Sequence, residues 1–231
     1  MKTIDVRQQR EVRRRESYRG TILDAAERVI LRKGYSALTM DDVAREAQLS
    51  KATVYKYVAG KGSLLFEILG HSFDEVRDEF AAILAGPGRA TEKLERLIKV
   101  AIRRSEDKIE INRVLWMDKA MLRLMRLFVP PSGRAGAAPS GGDKKMLSMF
   151  RQKRQAMIDL GARILEEGVA SGEFRRMDTA QAAAFIESVL QGYTHMRFWE
   201  GEAPPDPRAA EGLTRFIIEG IRNPGQAGKE K

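Results

Sequence analysis

The chain has 231 residues, a formal charge of +9, 43% apolar residues, two histidines and no cysteine. This composition allows a self-sufficient hydrophobic core and excludes disulfide frameworks, zinc ribbons, iron–sulfur clusters and thiol nucleophiles, in keeping with a reducing cytoplasm. No apolar run approaches the ~20 residues of a membrane helix, the charged start does not read as a secretory leader, and the excess of positive charge points to an anionic partner.

That excess is concentrated early: residues 1–63 hold 14 Lys and Arg against 8 Asp and Glu. Arg7, Arg10, Arg13, Arg14, Arg15 and Arg19 crowd into one short segment. Such a run reads either as a solvated tail or as an arm directed at DNA phosphates or a minor groove. Residues 1–16 are expected to form a disordered basic arm.

From there the apolar residues recur at spacings of three and four, which predicts helices throughout and no strand. The first helix is expected over 18–33, with Ile22, Ala25, Ala26, Val29 and Ile30 as its apolar stripe and Gly34 as a left-handed stop. Asp24 and Arg28 stand four apart in the order that supports its wet face. Two short helices follow over 40–47 and 51–58, the first capped by Thr39 with Asp42 three residues on, the second by Ser50. A longer helix over 61–84 ends at Ala85-Gly86-Pro87-Gly88, the expected domain boundary. Five more are predicted over 91–109, 112–128, 145–171, 179–199 and 207–222, the last with Pro207 at its first position. The Pro-, Gly- and Ala-rich stretch 130–143 is read as a mobile excursion, and residues 224–231 as a disordered tail.

The segment 39–58 has the make-up of a reading head. A helix that enters a major groove needs a short partner behind it, a tight turn and small or polar residues facing out. Val43, Ala44, Leu49 and Val54 supply an inward face; Lys51, Ala52, Thr53, Tyr55, Lys56 and Tyr57 are left outward. Two lysines and two tyrosines so close together suit phosphate neutralisation and hydroxyl donation.

The stretch from Ile22 to Leu69 resembles the DNA-binding domain of the TetR family. The matching pieces are Gly34-Tyr35, Thr39, Val43-Ala44, Leu49-Ser50, Thr53-Val54-Tyr55, and Lys61 with Leu64. The resemblance implies phosphate contacts from Thr39, Ser50, Tyr55, Tyr57 and Lys61, with Lys51, Ala52, Thr53 and Lys56 facing the groove. Lysine suits a guanine edge and the methyls of Ala52 and Thr53 a thymine methyl, although both lysines serve equally as phosphate anchors. The chain departs from the family pattern in three places. Gln48 stands where glycine is frequent, Val58 where an aromatic is common, and the joint Ala59-Gly60-Lys61-Gly62 is unusually rich in glycine.

The expected architecture is therefore all-α, with about nine helices. Residues 17–84 form a three-helix helix-turn-helix domain with its linking helix, and residues 86–223 a larger helical domain for effector binding and dimerisation. Ile186, Leu190, Leu213, Phe216, Ile217 and Gly220 form apolar and small-residue stripes that serve either internal packing or, as the resemblance implies, a two-fold four-helix interface. Trp116, Met117, Met121 and Met125, with Phe150, Phe185 and His195, are either plain core or the lining of an adaptable apolar pocket. The resulting expectation is a cytoplasmic homodimeric repressor that binds an inverted-repeat operator and is released by a small apolar or aromatic molecule. A constitutive DNA-binding dimer without an effector is the alternative. No phosphate-binding loop, nucleophile elbow, dinucleotide fingerprint or metal-ligand spacing is present, so neither an enzyme, a metal, a cofactor nor a membrane partner is expected.

Overall fold

The computed structural model describes residues 6–117, 141–199 and 207–226. Nine α-helices lie among these residues: α1 Val6–Ala37, α2 Met40–Glu46, α3 Lys51–Tyr57, α4 Lys61–Ala85, α5 Ala90–Asp107, α6 Ile109–Met117, α7 Gly141–Ser171, α8 Thr179–Trp199 and α9 Pro207–Ile221. Extended backbone pairs at one isolated bridge, Phe174 with Arg222. The fold is all-α, as the three-and-four spacing requires.

The first helix differs from expectation at its start. It begins at Val6 and not near Tyr18, so residues 6–16 are helical where a disordered arm was expected. The reason lies in the residue types: Arg, Glu and Gln are good helix formers, and Glu11 stands four before Arg15 in the favourable order. At the other end Gly34 takes φ 79°, the left-handed stop anticipated there, and the chain kinks before Ala37. The tail differs as well. Pro224–Gln226 form a short 3₁₀ turn, with the Asn223 side chain donating to the Gly172 carbonyl at 3.0 Å.

The described residues divide into two units, at His71/Ser72 and again at Ile109/Glu110 and Leu147/Ser148. The expected boundary at 85–88 is displaced because α4 is one unbroken helix serving both cores. In addition, Ile111 and Val114 of α6 pack into the first core. The stretch 130–143 lies outside the described residues up to Gly141, where α7 opens.

The core of the first unit joins the α1 stripe Ile22, Ala25, Ala26, Val29 and Ile30 to Val43 and Ala44 of α2, Val54 of α3 and Leu64, Leu65 and Ile68 of α4. The second unit gathers Phe80 and Leu84 of α4 with apolar residues of α5, α7, α8 and α9. Its joints are polar and specific. The Glu173 carboxylate accepts from the Ala90 and Thr91 amides at 3.1 and 3.0 Å, capping α5 across a large sequence separation. The buried Lys93 ammonium donates to the Leu84 carbonyl at 2.9 Å and to Glu167 at 2.8 Å.

Candidate nucleic-acid interface

The reading head is built from short-range chemistry. Thr39 caps α2 through a capping box: its Oγ1 accepts from the Asp42 amide at 3.2 Å, and the Asp42 carboxylate accepts from the Thr39 amide at 2.9 Å. After α2 the chain reverses at Gln48, whose φ of 55° is the left-handed conformation expected where glycine is frequent. Holding a non-glycine residue there costs about 1 kcal/mol. The turn is closed by the Leu49 amide donating to the Ala44 carbonyl at 2.9 Å. Ser50 then caps α3, accepting from the Thr53 amide at 3.0 Å. Val43, Ala44, Val54 and Val58 are all buried, so the valine at the α3–α4 joint is a core residue.

Lys51, Ala52, Tyr55 and Lys56 are exposed on the outer face of α3, while Thr53 and Tyr57 are half-buried. Each charged or aromatic member is held differently. The Lys51 ammonium lies 2.7 Å from Asp41 of α2, an exposed pair that spans the turn. That hydrogen bond raises the lysine pKa above its ordinary value. Lys56 Nζ sits 5.9 Å over the Tyr57 ring. Tyr57 in turn stacks on Tyr18 of α1, with ring centroids 5.2 Å apart and planes 12° from parallel. The Lys61 ammonium donates to the Ser36 carbonyl at 2.8 Å and lies 4.7 Å over the Tyr35 ring. It therefore ties the end of α1 to the start of α4, a positioning role that sequence reasoning did not foresee.

Behind the head, α1 and α2 are joined by ion pairs. Arg28 and Arg32 reach Glu46 at 2.7 and 2.6 Å, and Lys33 pairs with Asp42. Arg28 is thus engaged across the helix pair and not, as its spacing predicts, with Asp24. Hydrogen bonds from Arg32 and then Arg28 hold the Glu46 carboxyl at about 2, against an ordinary value near 4.5. Lys33 and Thr39 push the Asp42 carboxyl down likewise. Because these folded-state values are depressed, the stabilisation is complete above the ordinary carboxylate range and is lost as pH falls through the folded value. We expect Glu46→Gln to abolish the part of the acid sensitivity of α1–α2 docking that lies between about pH 4.5 and 2. Acid titrations of both proteins followed by amide exchange in α2 measure it; coincident curves would count against the Glu46 pairs.

The residues expected to form the second-domain sites separate on inspection. Leu190 and Ile217 are 8% and 6% exposed and belong to the protomer's own core, against which Ile186 and Leu213 also pack. Phe216, by contrast, is 71% exposed, and Gly220 faces open space. Phe185, expected in a pocket, is 63% exposed on α8, and His195 is exposed too. The spacing along α8 explains the correction, since Phe185, Val189, Gly192 and Met196 fall on one outward stripe while Ile186 and Leu190 fall on the inward one. Phe150 is half-buried against Phe73, centroids 5.6 Å apart. Trp116 and Met117 end α6 with side chains outside the description, and Met121 and Met125 lie outside the described residues. Among the described residues the best-formed hollows of the second unit are two open grooves. One, about 280 Å³, is lined by Arg77, Ala81, Ala156, Asp159, Leu160 and Arg163; the other, about 170 Å³, runs between α5 and α9. Neither includes a residue expected to hold an effector. Among the same residues no group of three or more acidic, His or Cys side chains is placed to hold a metal, and no helix is long and apolar enough to cross a membrane.

A short helix backed by a second across a tight turn, with lysine and tyrosine facing out, defines a helix-turn-helix DNA-binding protein. Residues 22–68 match the family model described as bacterial regulatory proteins, tetR family. The HTH-type transcriptional regulator BetI of Rhizobium meliloti is 33% identical over 85 residues, 37% of this chain and 42% of that protein. The chain thus spans less than half the length of that relative. Among solved structures, a TetR/AcrR-family regulator from Thermobifida fusca is 24% identical, with a TM-score of 0.62 over 88% of this chain and 98% of that one. The fatty acid degradation regulator FadR from Bacillus halodurans is 17% identical, with a TM-score of 0.65 over 89% and 97%. Residues 22–68 thus carry a tetR-type helix-turn-helix, and the solved structures share the fold of the chain around it.

Proposed function

We propose that this protein is a dimeric transcriptional repressor that reads an inverted-repeat operator with α3 and occludes a promoter. The observation that carries the reading is the outer face of α3. Lys51, Ala52, Tyr55 and Lys56 project from a helix whose opposite side is fixed by the fully buried Val54. Lys51, Ala52, Thr53 and Lys56 face the groove. Tyr55 reaches phosphate oxygens, and Thr39, Ser50, Tyr57 and Lys61 set the edges of the head against the backbone. Two copies joined through the outward stripes of α8 and α9 hold two such heads on one face of the duplex. Half-sites then lie about one helical turn apart, roughly 34–36 Å between heads. Selection from a pool of random duplexes by the full chain tests this: it should return an inverted repeat with that spacing, and a pool that stays unenriched overturns the reading.

Release by a small apolar or aromatic molecule is the finer part of the proposal and rests on the Trp116–Met125 stripe. The constitutive dimer is the second reading; among the described residues the two open grooves, about 280 and 170 Å³, fall below the roughly 300–1,000 Å³ of usual small-molecule pockets. A thermal-shift screen of apolar and aromatic compounds, followed by release of the selected duplex, separates the two. Release that is lost in Trp116→Ala supports an effector; compounds that bind without changing DNA affinity support the constitutive dimer.

A further inference from the structure

From Arg10 to Thr21 no side chain is buried, and only Tyr18 and Gly20 are half-covered. A solvated helix of this kind gains little from propensity alone, yet it is tied down at two points next to the reading head. Tyr18 stacks on Tyr57, the last residue of α3, and the Arg19 guanidinium lies 2.8 Å from Glu67 of α4. Arg14 lies 5.8 Å over the Tyr18 ring. Arg19 therefore has its charge satisfied within the domain, whereas Arg10, Arg13 and Arg15 form no ion pair among the described residues.

Helical phase sorts these arginines. At about 100° per residue, Arg14 and Arg10 lie about 40° and 80° from Tyr18 on one side of the stripe that meets α3, Arg15 about 60° on its other side, and Arg13 on the far side at about 140°. Glu11 shares the stripe, and the face remains net positive. At 1.5 Å per residue the stripe extends about 12 Å beyond Tyr18, the length of about three or four base steps at ~3.4 Å each. We propose that the first four turns of α1 are a second DNA-binding element, a helix that sets Arg10 and Arg14 on the phosphate backbone flanking the half-site read by α3. The ligand is backbone phosphate, so the element adds affinity without sequence preference. The inference rests on the reading of α3 given above.

The test uses the full chain and the inverted repeat that it selects, in two duplexes: one with ten flanking base pairs on each side, the other trimmed to the repeat. Arg10→Ala/Arg14→Ala should bind the flanked duplex about ten- to thirtyfold more weakly at 50 mM salt, with the log–log salt slope shallower by about 2 per head. On the trimmed duplex it should match wild type. Arg10→Lys/Arg14→Lys should keep most of the affinity, and Arg13→Ala should leave it unchanged. Tyr18→Ala removes no charge but unseats the helix, and should lose the flank contribution too. Melting curves establish that each variant is folded. A double alanine variant that behaves like Arg13→Ala, or one that loses as much on the trimmed duplex, overturns the proposal. A wild-type chain that enriches no duplex overturns the reading of α3 itself, a different outcome.

Discussion

Replacing Phe216 and Met196 by aspartate should convert a dimer into a folded monomer and weaken binding to the inverted repeat by about a hundredfold or more, equivalent to about 3 kcal/mol. Both side chains are large and apolar, and they are 71% and 63% exposed on α9 and α8. Covering such a side chain contributes roughly 1.5–3 kcal/mol, and a two-fold interface counts every residue twice. Glycines at 192, 212 and 220, where a side chain would meet nothing within 4 Å, leave room for a second copy to approach the same stripes. Light scattering gives the mass and a filter-binding titration the affinity. Ile217→Asp is the informative contrast. That side chain lies in the protomer's own core, so its replacement should lower the melting temperature before it separates subunits. A wild-type monomer at micromolar concentration, or a double aspartate variant that remains dimeric, would falsify the interface.

Lys51→Ala/Lys56→Ala should abolish preference for the selected repeat over a scrambled duplex and flatten the salt slope by about 2 per head. The two lysines should not be equivalent. Lys56 lies over the Tyr57 ring and pairs with no carboxylate among the described residues, whereas Lys51 is held by Asp41 at 2.7 Å. Removing Lys51 alone strands an exposed carboxylate beside the DNA, so Lys51→Ala should lose more affinity than Lys56→Ala. Asp41→Asn should act in the opposite sense, raising affinity for duplexes of any sequence while narrowing the gap between right and wrong sites. Competition titrations at several salt concentrations measure all four proteins. If Lys51→Ala and Lys56→Ala are equal and Asp41→Asn is silent, the Asp41–Lys51 pair has no part in recognition.

Much of this protein was legible in the linear sequence because the signals are local. The caps at Thr39 and Ser50, the left-handed Gly34 and the apolar stripe of α1 each follow from residues within two turns of one another. The left-handed Gln48 followed from the same stretch of sequence once the family resemblance was recognised, and that resemblance also pointed to the outer face of α3. What the sequence could not determine depends on which distant surfaces meet. Arg28 had a carboxylate at the right helical spacing in Asp24, yet it pairs with Glu46, because packing of α1 on α2 brings the latter closer. Lys61 reads in the sequence only as a phosphate ligand, and the fold adds a second role by placing the Ser36 carbonyl beside it. Ile217 and Phe216 are neighbours of similar hydrophobicity, and only the packing of α9 on its own unit decides that one is core and the other surface. The charged start of α1 has the composition of a solvated tail. Its helical course beside the reading head depends on one tyrosine meeting another 39 positions along the chain, and such a pairing leaves no periodicity in the sequence to find.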